Sequence, residues 1–464
     1  MDERSATRSS PVHPGGARDG APAGDPAGDR EYRRRVNAWA MYDWANSAFF
    51  TTIVAAVFPP FYRRLALAAG ASPAEATAYW AYTTSGALLL AALLGPLLGT
   101  LADVGRNKKQ WLAAFAGLGV LSTAAMYFLH DDHFLWASVL FSGGALGVTG
   151  SIVFYDALLP HVARPEDIDR VSARGYAFGY LGGGLLLAFN IALILWPTSF
   201  GLADQTAAVR WSFVTVALWW AVFSLPLLRW VPEPAGPGEE QRRRARVDFA
   251  EAWRRLGGTL RHVKRYRHLA LFLLAFLVYN DGIGTIIKMA TAYGDEIGIG
   301  LNDLISALLI TQFVGIPCSL AFGRLAGYVG SKAGILAGLA VYSGVAVLAY
   351  FMTTAFHFYL LAVLVGLVQG GTQALSRSLF GSMIPLHRSA EFFGFFSTSE
   401  KVAGILGPLL FGLIGQAMGD SRGGILLVLG FFLVGGALLL LVDVEAGRRQ
   451  ARQEEGAVWP IPAS

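Results

Sequence analysis

The sequence predicts an all-α integral membrane protein of twelve transmembrane helices in two six-helix bundles. Three observations predict it: the balance of apolar and charged residues, the recurrence of apolar stretches, and the distribution of basic residues between loops. Hydrophobic residues make up 54% of the 464-residue chain and Asp, Glu, Lys and Arg only 15%, where a soluble protein carries about a quarter charged residues. Mean hydropathy is +0.47. At about 20 apolar residues for each bilayer crossing, this content suffices for roughly twelve spans. It argues against a soluble enzyme, a disordered chain and a disulfide-stapled secreted domain. The single cysteine, Cys318, leaves no internal disulfide and no thiolate metal cluster.

In chain order, residues 1–35 are rich in Gly, Pro, Ala, Asp and Arg and read as a disordered tail. They lack the apolar core of a signal peptide. From Val36 the apolar stretches fall at about 38–62, 79–102, 110–129, 134–158, 174–196 and 209–230, forming a first bundle over 36–230. A second set falls at about 268–291, 301–325, 333–352, 356–381, 391–417 and 424–443, forming a second bundle over 268–445. Between them lies a polar linker, 231–267, and a short tail follows at 446–464. Within the linker, Phe249, Trp253, Leu256, Leu260 and Val263 recur at helical spacing among basic residues. That spacing suits an amphipathic helix on the membrane surface.

Loops on one side hold 28 Lys and Arg, and those on the other hold four: Arg63, Arg64, Arg210 and Arg422. Basic loops stay cytoplasmic, so both termini and the linker are expected there. The same bias accounts for the net charge of +5 without a nucleic-acid partner, and no RNA-binding motif argues otherwise. The halves also resemble each other. Gly99-Thr-Leu-Ala-Asp103-Val-Gly-Arg106-Asn-Lys-Lys109 corresponds to Gly323-Arg-Leu-Ala-Gly327-Tyr-Val-Gly330-Ser-Lys332, 224 residues on, and Pro160 corresponds to Pro385, 225 on. Two motifs at nearly one offset predict an internal duplication of six spans.

The segment GTLADVGRNKK resembles the cytoplasmic loop signature of the major facilitator superfamily. Gly95 and Gly99 form a small face for close helix packing. Asp103 can accept from the amide end of a neighbouring helix and Arg106 can pair with it, a contact that breaks when the halves rock apart. In the second copy Gly327 replaces the acid, which weakens any equivalent latch. Five further segments, AWAMYDWANSAF, FYDALLP, YNDGIGTI, QALSRSLFGSMIP and EFFGFFSTSEKVAGILGPLLFG, resemble the vacuole effluxer-like group of that superfamily, which includes fungal autophagy-linked vacuolar amino-acid effluxers and bacterial relatives. The resemblance runs from about Ala38 to the last span. It implies the major facilitator fold and solute export.

Charges inside a span are costly and usually face a cavity or a partner. Asp43, Asn46, Ser47 and Phe50 share one helical face; Asp43 and Asn46 are expected to serve solute or proton coupling, with a snorkelling or capping acid at the membrane interface as the alternative for Asp43. Asp281, Thr285 and Lys288 form a polar stripe in span seven, open either to a structural ion pair or to solute and proton coupling. Glu400 and Lys401 stand near mid-depth in span eleven; adjacent helical residues point about 100° apart, so the two are expected to face different partners. Gln369, Gln373 and Arg377 line one side of span ten, and Tyr155 and Asp156 close span four. These are expected as polar cavity or helix contacts. His130 and His133 flank Asp131 and Asp132 in a short loop, where a hydrated turn is expected rather than a metal site.

No phosphate loop, nucleophile elbow or catalytic carboxylate pair is present. No enzymatic activity, cofactor or metal is expected. The expected function is secondary transport by alternating access, exporting a small solute such as an amino acid with proton coupling, for which Asp281 and Glu400 are the carboxylates chosen as proton carriers. The partners are the solute, a proton or other coupling ion, and the lipid bilayer, with a monomer as the working unit. An excess of Arg over Lys fits a bacterial inner membrane. The alternatives are export of a larger amphipathic compound or drug, and a non-transporting membrane receptor or scaffold.

Overall fold

The computed structural model describes residues 26–105, 107–130, 133–234, 266–418 and 422–458. Among them there is no β-strand. The first span is a composite rod of α1 (Pro26–Ala48), a π-helical stretch (Phe49–Val57) and α2 (Phe58–Ala68). Spans two to six are α3 (Pro73–Gly105), α4 (Lys108–Ala125), α5 (Phe134–Val162), α6 (Ile168–Leu195) and α7 (Gln205–Trp230). Spans seven to twelve are α8 (Arg267–Glu296), α9 (Leu301–Val329), α10 (Ser331–Tyr350), α11 (Ala355–Ser382), α12 (Ser389–Met418) and α13 (Arg422–Leu440). A last helix, α14 (Val444–Val458), follows. By length and composition, ten helices among the described residues qualify as membrane spans. The first rod is divided by its π stretch into shorter pieces, and α12 is the remaining expected span.

The terminal regions differ from expectation. Residues 26–35 are helical, where the composition suggested disorder. Local contacts explain the order: Arg164 pairs with Asp29 at 3.0 Å, and the Tyr32 hydroxyl donates to Asp167 at 3.2 Å. The C-terminal tail is helical too. Glu454 accepts from Tyr266, Glu455 accepts from Leu386 N–H, and Arg448 donates to Ser382, so α14 lies against the starts and ends of α8, α11 and α12. The proposed surface helix in the linker lies almost wholly outside the described residues.

Within the first set of spans α1 packs on α6 and α7, and α4 on α5; within the second, α8 packs on α12 and α13, and α10 on α11 and α13. The sets meet most extensively where α3 crosses α12 and α6 crosses α9, with further contacts of α6 with α11 and of α5 with α12. The first two crossings use bare backbone, as helices in lipid do when packing rather than water drives them together. A Cβ on Gly99 would lie 2.1 Å from the Ala390 carbonyl oxygen, and one on Gly394 would lie 2.6 Å from that of Gly95. At the other crossing a Cβ on Gly323 would lie 2.5 Å from the Ala173 methyl. Leu93, Leu121, Leu135 and Val139 are more than half exposed, as an apolar surface facing lipid requires.

Candidate functional site

A cavity of about 390 Å³ lies between the two sets of spans. The first rod contributes Asp43, Asn46, Ser47 and Phe50, the four residues whose spacing put them on one face, together with Thr51. The face survives although the helix changes to π register at Phe49, a change often found near functional sites. Tyr180, Asn280, Gln312, Gln369 and Gln373 supply hydroxyl and amide groups around the wall.

The floor of the cavity, toward the side bearing the termini, is built on Arg377 of α11. Its Nη1 lies 3.0 Å from Asp156 Oδ1 on α5 and 3.3 Å from Asp43 Oδ2 on α1. Arg377 Nε donates to Ser172 Oγ at 3.0 Å, Nη2 donates to the Ser172 carbonyl at 2.9 Å, and the Tyr155 hydroxyl donates to Asp43 at 2.8 Å. The rings of Tyr176, Trp39 and Tyr155 surround the guanidinium, with centroids 4.5, 5.0 and 5.5 Å away. A buried cation is tolerated only when paired and fully hydrogen-bonded, and a planar guanidinium suits that role. Gly175 makes room for the cluster, since a Cβ there would fall 2.5 Å from Asp43 Oδ2. The cluster ties α1, α5 and α6 to α11, so opening this side must break it.

Glu400 and Lys401 both line the cavity, and they form an ion pair at 2.9 Å. This corrects the expectation that adjacent residues would face different partners. The helical 100° separates their Cα–Cβ bonds, but two long flexible stems bring the charged ends together. Asp281 and Lys288 behave in the opposite way: spaced for an ion pair on α8, they reach the backbone of α12 instead. Asp281 is buried and accepts from Gly407 N–H at 2.7 Å, whereas Lys288 Nζ donates to the Gly404 carbonyl. Thr285 donates to the Asp281 carbonyl at 2.7 Å. Of this stripe only Lys288 is on the cavity wall. Thr285 instead borders an apolar chamber of about 160 Å³ that shares Ile287, Gln312 and Gln369 with the cavity.

At the termini side Asp103 pairs with Lys108 at 2.7 Å and accepts from Glu391 N–H, the amide start of α12, at 2.7 Å. Arg106, the partner expected from the motif, lies outside the described residues. The second crossing has its acid on the other helix. Asp169 of α6 accepts from Ser331 Oγ at 2.8 Å and from Ser378 Oγ. Asp131 and Asp132 are outside the described residues, and among the described ones no cluster of three potential metal ligands occurs.

Sequence reasoning missed Ser172, Asp169, Trp39, Tyr176 and Gln312. An arginine within an apolar span signals a buried acid somewhere, and FYDALLP and AMYDWAN held the two candidates. Nothing in the spacing linked either acid to position 377.

A fold of this kind, with a polar cavity between two helical sets, defines a membrane transporter of the major facilitator class. The fold aligns with the proton:xylose symporter XylE bound to 6-bromo-6-deoxy-D-glucose at a TM-score of 0.69, over 93% of this chain and 99% of that one. Identity is 13%, so the likeness concerns the fold alone. Residues 31–452 match the family described as vacuole effluxer Atg22 like, and the chain belongs to that family. An uncharacterized MFS-type transporter of Bacillus subtilis (strain 168), YxiO, is 38% identical over 92% of this chain and 98% of its own length. Autophagy-related protein 22 of Yarrowia lipolytica is 28% identical over 62% of this chain; the match spans about half, 52%, of that relative.

Proposed function

We propose that the protein is a proton-coupled exporter of a small amphoteric solute such as an amino acid, working by alternating access of two six-helix halves, 36–230 and 268–445. One observation carries this reading: the cavity holds charges of both signs and draws its walls from both halves. A zwitterion offers one charge to each sign, and the Glu400–Lys401 pair can exchange its internal contact for contacts to such a solute. The side bearing the termini is the cytoplasmic one, as the basic loops require, in the inner membrane of a bacterium. Arg377, bridging the halves, is the closure on that side. Of the two proposed proton carriers, Glu400 borders the cavity and is the stronger choice; Asp281 is engaged with α12.

The test is flux of labelled amino acids into and out of proteoliposomes with and without an imposed pH gradient. Gradient-dependent flux that Glu400→Gln uncouples supports the proposal. Absence of flux for every amino acid would sink the substrate assignment. A second reading, export of a larger amphipathic compound, is favoured by the apolar chamber beside the cavity. A hydrophobic amine or dye that is transported where amino acids are not would establish it.

A further inference from the structure

The charges on α8 meet α12 at a break in its hydrogen bonding. Pro408 lies inside α12. Proline has no N–H and its ring crowds the carbonyl four residues earlier, so the Gly404 carbonyl lacks its helical donor. Lys288 Nζ donates to that same carbonyl. One residue before the proline, Gly407 N–H donates to the Asp281 carboxylate. Gly407 is glycine for a steric reason, whereas at Gly404 the near neighbour is only the flexible end of Lys288. A Cβ on Gly407 would lie 2.0 Å from Thr285 Oγ1 and 2.5 Å from Asp281 Oδ1, and one on Gly404 would lie 3.0 Å from Lys288 Nζ. Within a membrane a freed backbone group such as the Gly404 carbonyl must find its partner on a neighbouring helix.

We propose that Asp281 and Lys288 splint a proline hinge in α12, supplying the acceptor and the donor for the backbone at Gly404–Pro408, and that neither is a seat for solute or proton. The position suits a hinge. On one side of the break, Gly394 packs against Gly95 and the Thr398 hydroxyl donates to the Ala92 carbonyl at 2.7 Å, so this part of α12 is fastened to α3. On the other side, Leu409 and Leu413 are more than half exposed. A bend at the proline lets the far part of α12 move with α8 while the near part stays on α3. Asp281 and Lys288 are thus positioning residues, acting on the cavity through the helix that carries Glu400 and Lys401.

A thermal-stability cycle on the purified full chain tests the splint and needs no transported solute. Lys288→Met lowers the apparent Tm by a few degrees, whereas Lys288→Arg keeps a donor and most of the stability. In a Pro408→Ala background the restored N–H can return to Gly404, and the same Lys288→Met change costs little; Pro408→Ser supplies a second background if the first fails to fold. Equal losses in both backgrounds overturn the proposal. The kinetic arm rests on the transport reading above. Asp281→Asn retains an acceptor oxygen, and so keeps both Tm and pH-gradient dependence, while Lys288→Met lowers turnover with little change in the solute KM. Gradient dependence lost in Asp281→Asn at unchanged Tm makes Asp281 a proton carrier and overturns the assignment. Failure of the Tm cycle leaves the transport reading standing, and absence of flux leaves the cycle interpretable.

Discussion

The two crossings on the termini side, α3 with α12 and α6 with α9, involve the helices that carry the two matching motifs, 99–109 and 323–332, but are fastened differently. At the first, Asp103 sits at the end of α3, paired with buried Lys108 and holding the amide start of α12. At the second, position 327 is glycine, and the carboxylate comes from Asp169 on the opposite helix, α6, where it takes two serine hydroxyls. Lys332, 224 residues after Lys108, is held by backbone. It donates to the carbonyls of Leu440 and Val442 at 2.8 Å each, satisfying the end of the twelfth span. Lys109 does the same at the end of the sixth, donating to the Val231 carbonyl at 2.6 Å. Both crossings place a carboxylate where backbone or hydroxyl donors need an acceptor, but on different helices: α3 at the first and α6 at the second.

Breaking the charged crossing is the largest expected effect. Asp103→Ala leaves Lys108 buried without a counter-ion and the Glu391 amide without an acceptor, a loss of about 3–5 kcal/mol, read as a fall in the thermal unfolding temperature of the purified protein. Asp169→Ala at the other crossing removes two hydrogen bonds to a charged acceptor and should cost about 1.5–3 kcal/mol by the same measurement. If the two losses come out equal, the crossings do not differ in the way their chemistry implies. Lys332→Met keeps the apolar stem and loses only donors to carbonyls, for about 1 kcal/mol. Smallest is Gly327→Asp, which puts the first copy's acid into the second. A Cβ there meets only Arg170 Nη2, at 3.7 Å, and surface ion pairs contribute little, so the change should stay within about 0.5 kcal/mol. A gain comparable with the Asp103→Ala loss would show that the second crossing lacks a charge latch only by accident of sequence.

Periodicity and hydropathy made the helical membrane architecture legible because both are local. Each span must bury its own backbone hydrogen bonds in lipid, so its signature lies within about 20 consecutive residues. The shared face of Asp43, Asn46, Ser47 and Phe50 was legible for the same reason, as was the close approach at Gly95 and Gly99. Helix at residues 26–35 was not, because its order rests on contacts of Asp29 and Tyr32 with the loop after α5. Nor was the Glu400–Lys401 pair, since Cβ directions do not limit where long side chains end.

The sequence by itself determined what must be buried: the spans, the small residues at their crossings, and the few charges whose presence in lipid demands partners. Tertiary structure decided which partners those are. It gave Arg377 two acids from the other set of spans, gave Asp281 and Lys288 the backbone of a proline-containing helix, and put the acid of the second crossing on α6 rather than α9. A charge in a low-dielectric interior fixes its need for compensation locally, but the compensating group can arrive from any helix that packing brings within hydrogen-bonding distance.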